Sequence, residues 1–155
     1  MTYEISERQV DETPVLSIRE RVPTEGIQRS IGTFLREVWQ VIEAAGHHPA
    51  GPPFTRYHEI GDGEVLLEAG LPVPAELEGE GRVETEKLPG GEAIATDHYG
   101  PYEELPAAAE ALAAWAEEHG RTRAGPNWEI YRTDPGDEED PADWHTEVFM
   151  PLEPR

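Results

Sequence analysis

Glu129 and Tyr131 lie two residues apart in the stretch Ala124-Gly-Pro-Asn-Trp-Glu-Ile-Tyr-Arg132, which has a counterpart 74 positions earlier in Ala50-Gly-Pro-Pro-Phe-Thr-Arg-Tyr-His58. Ala50/Ala124, Gly51/Gly125, Pro52/Pro126, Phe54/Trp128 and Tyr57/Tyr131 match, whereas Thr55 stands where the second copy has Glu129. An acidic group is present in one copy only. A carboxylate among aromatic rings is what a cation stripped of water requires, because it supplies the compensating charge while ring faces add roughly 0.5–2 kcal/mol each. Strand alternation puts Glu129 and Tyr131 on one face and Trp128 with Ile130 on the other, which makes Tyr131 the closer companion. A second match, Leu67-Glu-Ala-Gly-Leu-Pro-Val73 against Thr146-Glu-Val-Phe-Met-Pro-Leu152, makes Glu68 and Glu147 equivalent. Pairing of two hairpins is expected to bring Glu147 beside Glu129 on one side of the sheet.

Other chemistries lack their residues. There is no Gly-x-Ser-x-Gly elbow, no His-Glu-x-x-His and no Gly-rich phosphate loop. Of the six histidines, His47 and His48 are adjacent, and His58, His98, His119 and His145 have no partner at metal-ligand spacing. The acidic run Asp134 to Asp143 has a calcium-like composition without the spacing of a twelve-residue calcium loop, and reads as a solvated hairpin tip. Neither a metal nor a cofactor is expected. No cysteine is present, which excludes disulfides and a thiol nucleophile.

The net charge of -21, from 33 acids against 12 bases, repels polyanions, and Arg121-Thr-Arg123 is too small a basic cluster to hold DNA. Direct nucleic-acid binding is not expected. Solubility in a salt-rich cytoplasm and attraction of cations both account for the acidity. The N-terminus lacks a signal peptide's basic and apolar segments, and no apolar run reaches membrane-spanning length, so the expected compartment is the cytoplasm with no membrane partner.

The elements that position these residues follow from periodicity. Residues 3–8 and 15–22 alternate and read as paired strands. From Gly26 a helical stripe of Ile27, Ile31, Phe34/Leu35, Val38, Val41/Ile42 and Ala45 runs to a stop at Gly46. Phe54 to Ile60 and Glu64 to Val73 are strands joined at Gly61-Asp-Gly63. The first β-β-α-β-β repeat thus spans residues 1–73, a Pro/Glu/Gly-rich linker 74–81, and a second repeat 82–155 within one domain. In the second repeat, strands at 82–88 and 92–99 precede a helix from Tyr102 to His119, whose stripe is Leu105, Ala109, Leu112 and Ala116, and strands at 127–133 and 144–151 follow. A repeat of this length implies a duplicated fold: α+β, eight antiparallel strands, two main helices and a pseudo-twofold relation.

The second half, with His98-Tyr-Gly-Pro-Tyr-Glu-Glu-Leu105 opening a helix, Trp128-Glu-Ile-Tyr131, and Thr146-Glu-Val-Phe-Met-Pro-Leu152, resembles the GyrI-like small-molecule-binding family, which includes effector-binding domains of multidrug-responsive transcription regulators. The resemblance covers nearly the whole chain. It implies a cleft between the halves that takes aromatic, often cationic molecules, with Glu129 in the position of the central acidic residue that faces the ligand. Tyr57 would line the symmetric side and Glu68 would join Glu147 there. Trp128, Phe34, Trp39 and Trp115 are further candidates for the walls and roof, although Phe34 lies on the apolar stripe and Trp115 borders one, where core packing is the competing duty. Trp144 reads as packing. The resemblance also implies two alternatives: a hydrolase of electrophilic cyclopropane-type genotoxins, with Glu129 as the base, and a protein-interaction module that inhibits DNA gyrase through a protein partner.

Overall fold

The computed structural model describes residues 3–133 and 140–155. Its elements run β1 (Ser6–Val10), β2 (Thr13–Pro23), α1 (Ile27–Ala44), β3 (Phe54–Ile60), β4 (Glu64–Pro72), β5 (Glu84–Leu88), β6 (Gly91–Tyr99), a short 3-10 turn (Tyr102–Glu104) leading into α2 (Leu105–Glu118), β7 (Trp128–Tyr131), and β8 (His145–Pro151). The fold is α+β, with every strand pairing antiparallel. No helix among the described residues is long and apolar enough to cross a membrane. Residues 134–139 of the expected acidic hairpin tip lie outside the described residues.

The chain divides into a middle unit, Glu12–Pro89, and a terminal unit made of the N-terminal residues to Asp11 together with Gly90–Arg155. In the middle unit the strand order is β3-β4-β2-β5, and in the terminal unit β7-β8-β6-β1. Within each unit, then, one long strand leads through the helix to a hairpin. The fourth strand corrects the sequence reading. β1 does not pair with β2 but with β6 (Ser6 opposite Ala95), and β5 pairs with β2 (Val15 opposite Glu86) instead of forming a hairpin with β6. Side-chain complementarity decides this. Tyr3 and Ile5 pack into the terminal unit's core, Tyr3 hydroxyl meets the buried His98, and Arg8 reaches Glu147, whereas Leu77, Val83 and Arg82 all pack on the middle unit. The 74–81 segment therefore belongs to the middle unit, tied down by Thr85 hydroxyl donating to Leu77 O.

The helices follow the sequence closely. Both end in a Schellman motif: Gly46 (φ 81°) donates to Glu43 O and His47 to Ile42 O, while Gly120 (φ 64°) donates to Glu117 O and Arg121 to Ala116 O. α1 buries Ile31, Phe34, Val38 and Ile42. α2 buries Leu105, Ala108, Leu112 and Ala116, the four positions at the same 74-residue offset. Ala109, expected in the stripe, is only half-buried, and Ala108 takes its place. The substitutions between the helices matter more than the match. Phe34 and Ile42 fill the middle unit's core, while Ala108 and Ala116 present much less volume in the terminal unit.

Candidate functional site

Register in the terminal unit sorts its residues onto two faces. β7 pairs with β8 so that Trp128 opposes Phe149, Glu129 opposes Val148, Ile130 opposes Glu147 and Tyr131 opposes Thr146. β8 in turn pairs with β6, setting Thr146 against His98 and Val148 against Thr96. Residues directly opposite share a face. Since Tyr131, Val148, Met150 and Ile94 pack with Leu105, Ala108 and Leu112 of α2, the helix-side face carries Glu129, Tyr131, Thr146, His98 and Thr96. All five are buried. The corresponding rows of the middle unit hold Thr55, Tyr57, Leu67, Glu20 and Ile18. At two of these five positions, Thr96 for Ile18 and Thr146 for Leu67, the terminal unit carries a polar group where the middle unit has an apolar one.

Glu129 is 7% exposed, and Tyr131, which shares its face, donates its hydroxyl to Glu129 Oε2 at 2.9 Å. Tyr102, the first residue of the 3-10 turn, lies against Tyr131 with ring centroids 5.2 Å apart, and Trp144 lies against Tyr102 at 4.8 Å. These three rings form a continuous aromatic row leading from the carboxylate. Gly100 makes the approach possible. Its φ of 140° turns the chain sharply after β6, and its N–H donates to Trp144 O at 2.9 Å, which ties the turn to the start of β8.

His98 anchors the other end of the polar face. Its Nε2 is 3.1 Å from Pro101 O, which can only accept, so Nε2 carries the proton and Nδ1 accepts from Tyr3 hydroxyl at 2.8 Å. Both nitrogens of this buried imidazole are thus paired. Burial first, and the Glu104 carboxylate second, push the Tyr3 hydroxyl above the usual tyrosine range, which keeps it a donor. Thr96 hydroxyl donates to Glu4 O at 2.7 Å.

Of the nine residues proposed from sequence, the structure brings Glu129 and Tyr131 into direct contact. Glu147 is a correction. It opposes Ile130, so it lies on the face away from Glu129, where it accepts from Arg8 Nη1 at 2.8 Å and pairs with Arg132. Alternation within β8 alone could not reveal this, because the register of β7 on β8 decides it. Trp128 shares that second face and stacks on Phe149 at 5.1 Å, nearly parallel. Trp115 packs with the α2 cluster and stacks on His119 at 3.8 Å. In the middle unit, Tyr57 packs against the α1 core, and Phe34 is buried there with the Arg82 guanidinium 4.9 Å above its ring. Trp39 is 44% exposed on the outer side of α1. Glu68 is fully buried on the face away from α1. It accepts from Ser17 Oγ at 2.6 Å, from Arg56 Nε at 2.8 Å and Nη2 at 3.1 Å, and lies 2.7 Å from His58 Nε2. Burial opposes its charge, but the Arg56 hydrogen bonds and charge, with Ser17 and His58, outweigh that and hold the carboxyl below the usual range.

Sequence reasoning passed over Tyr102 and gave Trp144 to packing. The Gly100-Pro-Tyr102 helix start contained the signal, since a positive-φ turn before a helix aims the first helical side chain back over the sheet. A separate cavity of about 220 Å³ opens at the β1–β6 edge, lined by Glu7, Arg8, Gln9, Glu92, Ala93 and Leu152. None of the aromatic row lines it, and Arg121 satisfies both Glu7 and Glu92 at its rim.

Comparison with known proteins bears on this site. A family model described as GyrI-like small molecule binding domain matches residues 3–153. No curated protein gives a significant sequence match. Among solved structures, the EcmrR C-terminal domain is 27% identical with a TM-score of 0.85, each chain covered over 100% of its length. The EcmrR–DNA complex gives 26% identity and a TM-score of 0.85, covering 99% of this chain and 58% of that one, so the chain spans a little over half the length of EcmrR in that complex. A hydrolase from Listeria innocua is 15% identical with a TM-score of 0.71, covering 97% of this chain and 92% of that one, which is a likeness of fold alone.

Proposed function

Because the chain belongs to the GyrI-like small molecule binding domain family, we propose that it binds a small aromatic, cationic molecule on the helix-side face of its terminal unit. In this reading Glu129 supplies the negative charge and Tyr131, Tyr102 and Trp144 supply ring faces. The observation that carries it is the buried Glu129 carboxylate at the head of an aromatic row, at a position where the duplicated strand has Thr55. Where α1 buries Phe34 and Ile42, α2 buries the smaller Ala108 and Ala116. A sensing or sequestering role fits the likeness to the EcmrR C-terminal domain, the protein that the second EcmrR structure shows on DNA.

The test is calorimetric titration with naphthylmethyl cations against a neutral naphthyl compound of the same shape. The expected result is one cation per chain, and weaker cation binding by about three- to tenfold in Trp144→Phe, which keeps a smaller ring face. Equal binding of the neutral compound would count decisively against a charge-reading site.

One observation favours a second reading as a hydrolase. The Tyr131 hydroxyl lies beside the Glu129 carboxylate, an acid next to a base: Glu129 takes the proton of a water attacking an electrophilic carbon and Tyr131 gives its proton to the leaving group. Mass spectrometry of the titrated compounds separates the two, because a binding protein returns them unchanged.

A further inference from the structure

On the helix-side face of the terminal unit most of the buried polar side chains among the described residues have an identified interaction. His98 pairs through both ring nitrogens, Thr96 bonds to Glu4 O, and Tyr131 bonds to Glu129. Thr146 Oγ1 differs: like Asn127 Oδ1 just ahead of β7 it is buried and has no hydrogen-bond partner among the described residues, and Thr146 is 0% exposed. A hydroxyl taken out of water with nothing to bond carries a desolvation cost, and buried polar groups in folded proteins rarely go unmatched. The middle unit avoids that cost, since the equivalent position is Leu67, which packs in its core.

Thr146 also stands in a telling place. It lies directly opposite Tyr131 and diagonal to Glu129 on the same face. Opposite residues have Cβ atoms about 4.5–5.5 Å apart and diagonal ones lie at about 7–8 Å, so one small cationic group can meet the carboxylate and the hydroxyl together. Resting on the reading of Glu129 as the charge-bearing residue, we infer that the ligand's cationic group is a protonated amine carrying several N–H donors, with Thr146 Oγ1 accepting one of them. An ammonium with three N–H bonds serves Glu129 and Thr146 at once. A fixed onium, whose charge is wrapped in carbon, satisfies Glu129 electrostatically and leaves Thr146 unmatched. Thr146 is thus a specificity-determining residue that separates aromatic amines from quaternary cations of the same size and charge.

The experiment uses the whole chain and two ions, 2-naphthylmethylammonium and its N,N,N-trimethyl counterpart, titrated at pH 7 into the parent protein, Thr146→Val and Thr146→Ser. The quantity read is the ratio of their dissociation constants, because hydration and bulk also distinguish the ions and only the change of that ratio with residue 146 isolates the hydroxyl. The ratio should shift about tenfold against the primary amine in Thr146→Val and return in Thr146→Ser. Thr146→Ala, which removes the hydroxyl without adding bulk, gives the same reading should the valine variant not fold. An unchanged ratio across these variants overturns the role of Thr146 while leaving the Glu129 site standing. If neither ion binds the parent protein, the Glu129 reading itself fails.

Discussion

Glu68 shows what a neutralised buried carboxylate looks like in this protein, and its energetics differ sharply from those of a surface pair. Arg56, 8% exposed, meets the fully buried Glu68 through two nitrogens, so Arg56→Met removes its main counter-charge, leaving the more distant Arg19 at 3.8 Å with His58 and Ser17, and should cost about 3 kcal/mol. Arg21 and Glu59, both more than half exposed, make a pair of similar length, yet Arg21→Ala should cost about 0–1 kcal/mol. Urea denaturation of the two variants compares them directly. The same carboxylate sets a pH dependence. Its folded-state pKa lies below the value of 4.5 that it has unfolded, so its stabilisation is fully present above about pH 4.5 and is lost as pH falls through the lower folded value. Glu68→Gln should flatten the acid limb of the stability curve between pH 5 and the onset of unfolding, and a limb of unchanged steepness would remove Glu68 from the account.

At the scale of elements, β1 depends on side-chain locks more than on its own pairing. Its five residues cover little area, and Tyr3 hydroxyl on His98 Nδ1 is the contact that draws the N-terminal segment over the α2 core. Tyr3→Phe removes the donor and leaves a buried ring nitrogen unmatched, a loss of about 1–3 kcal/mol concentrated locally. Hydrogen exchange should show faster exchange in β1 and at the start of α2, with the middle unit unaffected; uniform behaviour across the chain would contradict the lock. These elements also mark what sequence could reveal. Helix ends were legible because Gly46 and Gly120 each stand where a Schellman motif needs a positive φ. The 74-residue offset was legible in the matches Ala50/Ala124, Gly51/Gly125 and Pro52/Pro126, and three of the four stripe positions expected for α2 are buried, with Ala108 in place of Ala109. Partner choice for β1 and β5 was not legible, since alternation identifies a strand and its faces but says nothing of its neighbour. Glu147 was misplaced for the same reason, and Tyr102 was passed over because the Gly100 turn that aims it is a feature of backbone conformation.

For the molecule as a whole, a net charge of -21 draws cations of every kind toward the surface, but a diffuse field does not choose among them. Selection requires a dry, fixed charge beside a shaped apolar surface, and the account places that charge at Glu129. The two units share a strand order, and they differ where Thr55, Leu67 and Phe34 in one are replaced by Glu129, Thr146 and Ala108 in the other. The proposed function accordingly rests on the residues of one unit. The most direct measurement is the affinity of Glu129→Gln for a naphthylmethyl cation and for its neutral analogue, both by calorimetry at low ionic strength. The side chain keeps its shape and loses its charge, so cation binding should weaken by about 1.5–3 kcal/mol while the neutral analogue is unaffected. Cation affinity equal to that of the parent protein would contradict the account, because the charge that the site presents would then not be that of Glu129.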